Sequence, residues 1–344
     1  MRPLPIALAA IALFLASCGP ASRAPVRDGP QLTGSLAAEW TTAAPARQVA
    51  FSRDGHLLAT SDASGLIAVR ETGSWRPVAK FRHEGGATSV AFGADGKTLL
   101  SGGYDGNVRV WDLARHAPAR LLQGAGKTIW AIDVSPDGTR VAAGGEDSTI
   151  RVWTLNRPAA PMVLRGHERN VWEVRFSPDG KLLASGSFDH QARLWDAATG
   201  KSVRTLDGHE QAVVGLAFSP DGKLLATCGD DSTIRFWKVA DGAPLTTIPV
   251  GNHTYKLAFS GDGRWLASGG RARGAIGTFW HQLTGGRSEA TPVRIWRASD
   301  GGLVTKLPAI DDIAYVAFSP DGHWLAAAEE DDRIRLWRLR ERAR

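Results

Sequence analysis

The sequence predicts an all-β chain folded as a seven-bladed β-propeller of four-stranded antiparallel blades, and three observations carry that prediction. The stretch Phe176-Ser177-Pro178-Asp179-Gly180 has close copies at 51–55, 92–96, 134–138, 218–222, 259–263 and 318–322. Successive copies lie about 42 residues apart, except the last pair at about 59, and a fixed period of this size marks a repeat architecture. Each period holds four short alternating or apolar segments divided by turn residues, in the fourth copy 171–176, 182–185, 192–195 and 202–206. Four antiparallel strands per repeat make a propeller blade, and seven blades close a ring without an exposed sheet edge.

The recurring stretch is a strand end running into a turn. Phe176 closes an apolar alternation and Pro178 presets φ for the turn. Asp179 offers an Asx-type side-chain bond, and Gly180 is free to take a positive φ. The long last interval carries an insertion of about 17 residues in the sixth repeat, spanning roughly 271–292. It joins the second strand to the third and contains Arg271, Arg273, Phe279, Trp280, His281, Gln282 and Arg287 among glycines. A long Gly-rich loop with aromatic and arginine residues suits a partner-binding or lid element.

Ahead of the repeats, Met1-Arg2-Pro3 and the apolar run 4–16 read as a signal peptide, because about 13 apolar residues are too few to span a bilayer. The run ends in Leu15-Ala16-Ser17-Cys18, which resembles the lipobox of bacterial lipoproteins. That resemblance implies cleavage before Cys18 and acylation of its thiol. With Gly19 next, it also implies sorting to the outer membrane, facing the periplasm. Residues 1–17 are thus expected as leader, 18–35 as a flexible tether rich in Pro, Ala, Ser and Gly, and 36–344 as the propeller. Fully extended, the tether would reach roughly 50 Å from the membrane. Residues 36–40 read as a lone strand, and the last repeat lacks a fourth strand after Trp337, so the two are expected to pair and shut the ring.

Composition is globular, with 43% hydrophobic and 22% charged residues. A net charge of +6 is the kind of balance that attracts nucleic acid. However, Arg109, Arg151, Arg193, Arg235, Arg294 and Arg335 each precede a Trp by two residues and so belong to the repeat, not to one basic patch. No nucleic-acid partner is expected. The second cysteine, Cys228, sits in an apolar strand and reads as a buried small hydrophobe.

The third strands contain Trp111-Asp112 and Trp195-Asp196, and keep the Trp alone at 153, 237, 296 and 337. Gly-His pairs precede the innermost strand at 166–167 and 208–209. On these motifs the chain resembles the WD-repeat β-propellers over nearly all of 36–344, although the first repeat has Arg70-Glu71 where Trp-Asp is expected. The resemblance implies buried hydrogen-bonded tetrads at His83, Ser101, Asp105 and Trp111, at His167, Ser185, Asp189 and Trp195, and at His209, Thr227, Asp231 and Trp237. A His-Ser-Asp set superficially resembles a hydrolase triad, but three buried copies, each with a Trp, read as structure. The third repeat has Ala125 and Ala143 instead of His and Ser. The sixth lacks the turn Asp, and the seventh keeps only Asp331 and Trp337.

The resemblance also implies that partners dock on the face where chains enter the innermost strands. Positions four residues before each repeat's Phe, together with those one residue before the turn Asp, bring Trp130, Trp172, Tyr104, Phe188 and Tyr255 to one side of that face. With Phe279 and Trp280 of the insertion, these are the expected partner-binding residues. No metal-binding or nucleophile motif is present, and the mouth is expected to be largely aromatic and neutral. The expected function is a non-catalytic, lipid-anchored and monomeric scaffold for a protein or peptide in the cell envelope, without cofactor. The alternatives are a propeller hydrolase or lactonase, or a small-ligand sensor, acting in the central channel.

Overall fold

The structure, a computed structural model, describes residues 31–342 except 125, 158 and 272–290. Its described residues form 28 strands in seven four-stranded antiparallel sheets. The innermost strands are β2 (Ala46–Phe51), β6 (Ala87–Phe92), β10 (Ile129–Val134), β14 (Val171–Phe176), β18 (Val213–Phe218), β22 (His253–Phe259) and β26 (Ile313–Phe318). Six blades take four strands consecutive in sequence. The seventh is built in the order β1, β28, β27, β26, from β1 (Gln31–Thr41), β28 (Arg333–Arg342) and β27 (Trp324–Glu329). The closing strand therefore begins at Gln31, five residues before the expected start at Leu36, and residues 31–35 of the expected tether belong to the ladder.

Each turn of the recurring stretch is held as the residues dictate. Gly180, at φ 70°, donates its amide to Ser177 O at 2.8 Å. Asp179 Oδ1 accepts the Ser177 hydroxyl at 2.7 Å and the Lys181 amide at 3.1 Å. The serine, which composition alone does not single out, also takes the Leu182 amide on Oγ at 2.9 Å. Apolar residues then pack between blades. One buried cluster joins Ala142, Ile150 and Val152 of the third blade to Val171, Leu183 and Trp195 of the fourth, each large aliphatic side chain contributing roughly 1.5–3 kcal/mol by leaving water.

All three expected tetrads are formed. In the fourth blade the Trp195 indole N–H donates to Ser185 Oγ at 2.8 Å, Ser185 Oγ lies 2.7 Å from His167 Nε2, and His167 Nδ1 lies 2.7 Å from Asp189 Oδ2. The fifth blade repeats this through Trp237, Thr227, His209 and Asp231 with every contact at 2.8 Å. In the second blade the imidazole is turned over: His83 Nδ1 meets Ser101 at 2.7 Å and Nε2 meets Asp105 at 3.0 Å, while Trp111 reaches Ser101 at 2.9 Å. Burial opposes the Asp105, Asp189 and Asp231 carboxylates, but hydrogen bonds led by the paired histidine outweigh it and hold each down to about 2. The hydroxyls of Ser101, Ser185 and Thr227 are fully buried, so these sets cannot meet a substrate.

The incomplete blades show what the hydroxyl contributes. In the sixth, Trp296 still donates to Ser268 Oγ at 2.9 Å. In the seventh, alanine stands at 327 and the buried Trp337 indole N–H has no acceptor. Two residues further along the strand, Glu329 is fully buried, with Oε2 accepting the amides of Ile310 and Asp311 at 3.1 and 3.3 Å. Burial pushes its carboxyl up to about 7 against the pull of Arg335. Restoring the missing acceptor with Ala327→Ser is expected to stabilise the protein by about 1 kcal/mol. Urea unfolding checks this, and a loss of stability would mean that the site has no room for the oxygen.

Candidate functional site

The inner strands begin at the mouth of the ring, and their first exposed residues, together with the turns between second and third strands, build its rim. Here the aromatic residues come together. Trp130 and Trp172 stack with centroids 4.4 Å apart and planes 23° from parallel. Tyr104 meets Trp130 edge-on at 6.1 Å, and Trp172 receives Phe188 at 5.1 Å and Tyr255 at 6.5 Å, both edge-on. The five side chains, from the second, third, fourth and sixth blades, form one connected and half-buried cluster. Phe279 and Trp280 lie outside the described residues, as do Cys18 and most of the sixth-blade insertion.

The insertion leaves the sheet at Arg271, the last residue of β23 (Trp265–Arg271). Its guanidinium lies 4.0 Å from the Tyr255 ring centroid, donates to the Tyr255 hydroxyl at 2.9 Å and pairs with Glu330 of the seventh blade. Burial raises the Tyr255 phenol against the pull of Arg271, and raises Glu330 likewise.

Below the aromatics the channel is not neutral, and this corrects the expectation from sequence. Lys256 on β22 reaches across to pair with Glu173 on β14, both buried. Arg175 holds the other Glu173 oxygen at 2.9 Å and bonds the Tyr315 hydroxyl of the seventh blade. Lys256 passes the fifth blade where residue 215 is glycine: a Cβ there would lie 2.5 Å from Tyr255 O and 3.1 Å from Lys256 Cα. Burial lowers the Lys256 ammonium despite Glu173, and raises Asp133 despite Arg175. Asp133 Oδ2 accepts the Phe176 amide at 2.7 Å, which ties the third blade to the fourth. The same stitching recurs where Gln48 exchanges two bonds with Val90, at 3.0 and 3.2 Å, and where Ser89 Oγ takes the Ile132 amide at 3.1 Å.

These charged residues were missed at the sequence level, though a signal exists. In Val171-Trp172-Glu173-Val174-Arg175 the charges fall at alternate positions of an inner strand, so both share a face. Their effect is to occupy the channel carboxylates. Glu173 is held by two cations and Asp133 by a backbone amide, and among the described residues no three His, Cys, Asp or Glu side chains are grouped to hold a metal ion.

A recess of about 280 Å³ lies between the aromatic rim and this charged floor, walled by Arg47, Tyr104, Trp130, Trp172, Tyr255 and Lys256 among others. A second, of about 450 Å³, opens at the opposite end among the turn-side residues Phe51, Phe92, Phe176 and Phe318. Gln48 and Tyr315 line both, so the charged floor stands between the two mouths.

The family model described as WD domain, G-beta repeat matches residues 75–112, 117–154, 160–196, 200–238 and 301–338, together more than half of the chain. Each match runs from the outer strand of one blade through the third strand of the next. The inner strands of the first blade, where Arg70 replaces the Trp, and of the sixth, which holds the insertion, are unmatched. No curated protein matches the chain significantly.

The buried pair across the channel has a measurable cost when broken. Glu173→Gln leaves Lys256 without its counter-charge and is expected to destabilise the protein by roughly 3 kcal/mol or more, while adding Lys256→Met recovers most of the loss. Chemical unfolding of the single and double variants reads both, and an unchanged single variant would show that the pair is not desolvated.

Proposed function

Because the chain belongs to the WD40 family of WD-domain, G-beta repeat propellers, we propose that it acts as a non-catalytic scaffold whose ring mouth captures a protein or peptide partner, and that a lipid on Cys18 tethers it to the bacterial envelope, in the outer membrane facing the periplasm. The observation that carries the binding face is the aromatic cluster of Tyr104, Trp130, Trp172, Phe188 and Tyr255, connected and half-exposed on one side of the mouth. Large rigid aromatics of this kind supply much of the energy at interfaces at a low cost in side-chain entropy. A ring that presents them from four blades fixes their angles in advance, so little ordering is needed on binding.

The tether rests on Leu15-Ala16-Ser17-Cys18 behind a short apolar run. The non-catalytic reading rests on the channel, where Glu173 and Asp133 are engaged with cations and backbone. A propeller hydrolase or lactonase would need such groups free to exchange protons or hold a metal. Affinity capture from detergent-solubilised envelope tests the scaffold: the wild type is expected to retain a partner that Trp172→Ala loses by tenfold or more while folding normally. Equal capture by both forms would move the site elsewhere on the ring.

A further inference from the structure

We propose that the recess at the aromatic mouth takes a carboxylate carried on an aromatic body, with Arg47 as the residue that meets the charge. The inference rests on the reading of this mouth as the binding face and names the chemistry it selects. Aromatic walls alone would equally suit an ammonium group, which an indole face attracts. The charges decide against that. Arg47, Lys256 and Arg271 line the recess against a single carboxylate, Glu173. Glu173 is already held by Lys256 and Arg175, and Arg271 is paired with Glu330. Arg47 is in no salt bridge among the described residues, although it lies near enough to Glu330 to lower that carboxyl. An entering cation would meet Arg47, which no carboxylate pairs directly among the described residues, and an entering anion would pair with it.

The hydrogen-bonding capacity left over at the wall points the same way. The Tyr255 hydroxyl takes a bond from Arg271, the Tyr315 hydroxyl one from Arg175, and both ends of the Gln48 amide are engaged with Val90. The Thr88 hydroxyl donates to Gly102 O at 3.0 Å. The lining groups that are shielded from solvent and lack a hydrogen-bond partner are Arg47 Nε, Trp130 Nε1 and Arg271 Nε, all donors, and Glu173 Oε1, whose charge Arg175 meets at 2.9 Å. A recess whose shielded, unpartnered groups are mostly donors suits a ligand rich in acceptors. Its volume of about 280 Å³ accommodates one aromatic side chain with its carboxylate. The stacked Trp130 and Trp172 offer that ring a face at the wall. A free aromatic acid and the C-terminus of a peptide ending in an aromatic residue share this chemistry.

Calorimetric titration at pH 7.5 separates the possibilities. The wild-type protein is titrated with N-acetyl-tryptophan, its neutral amide and the cation tryptamine, and with the tripeptide Ala-Ala-Trp bearing a free or an amidated C-terminus. The expected result is that a free carboxylate binds about tenfold or more tighter than its amide, that tryptamine is weaker still, and that Arg47→Gln collapses the preference, so that acid and amide bind about equally. Amide or tryptamine binding as tightly as the acid overturns the inference on wild-type protein, whatever the variant does. So does the absence of binding by any acid, and that result leaves the scaffold reading standing if partner capture persists. If the small acid binds and the free tripeptide does not, the recess selects carboxylates as inferred, and it is the peptide-capturing role of this face that fails.

Discussion

Ten residue pairs between Gln31–Thr41 and Arg333–Arg342 hold the ring shut, and the geometry of the mouth depends on them. Each inner strand is placed by the blades on either side of it, so the aromatic cluster and the charged floor keep their distances only while the seventh blade is complete. The seam is reinforced on both sides. Leu32 is buried in a cluster with Leu307 and Leu339, and a side chain at Gly34 would strike Leu307 at 2.7 Å, so the strand lies close against the sixth blade. On the other side, Trp75 meets Trp324 edge-on at 5.0 Å and lies 6.3 Å from Trp40. Arg70, which stands where the repeat signature has its Trp, places its guanidinium 4.5 Å from the Trp40 ring centroid and bonds Trp75 O at 2.9 Å. The first blade's departure from the signature thus serves the closing strand.

Two kinds of buried polar network divide the work of the ring. The tetrads lie within single blades and are fully satisfied, each donor finding an acceptor from indole to carboxylate, so they fix the relation of first, second and third strands. The channel groups act between blades. Asp133, Gln48 and Ser89 stitch neighbouring inner strands, whereas Glu173 with Lys256, and Arg175 with Tyr315, span the opening. A buried pair of this kind stabilises less than apolar packing would, but it specifies which residues face each other. In this ring it also closes the channel beneath the aromatics, leaving a recess with a floor.

Much of this was legible in the sequence because the repeat samples the same physics seven times. The period gave the blade count, the Ser-Pro-Asp-Gly turns gave the strand ends, and the spacing from each repeat's Phe placed Trp130, Trp172 and Tyr255 on one rim. Residues that break the repeat were harder to read. Glu329 is fully buried at a position that the other blades give to glycine, serine or, in the first, Asp62, and nothing in its immediate neighbourhood announces that burial. Glu173 and Lys256 lie 83 residues apart, so their pairing follows from ring curvature, which no local pattern records. The start of the closing strand was misplaced by five residues because Gln31-Leu32-Thr33-Gly34-Ser35 has the small and polar composition of a tether; the partner strand β28 imposes its extended form.

Native-state hydrogen exchange on the amides of β1 and β28, compared with those of β10 and β14, tests the dependence of the mouth on closure most directly. If closure governs the ring, the paired amides of β1 exchange only through the same opening that exposes the inner strands, with matching free energies that fall together as denaturant is added. If β1 exchanged by local fraying at a much lower free energy while β10 and β14 stayed fully protected, the closing strand would be an accessory, and the mouth would owe its shape to packing within the other six blades.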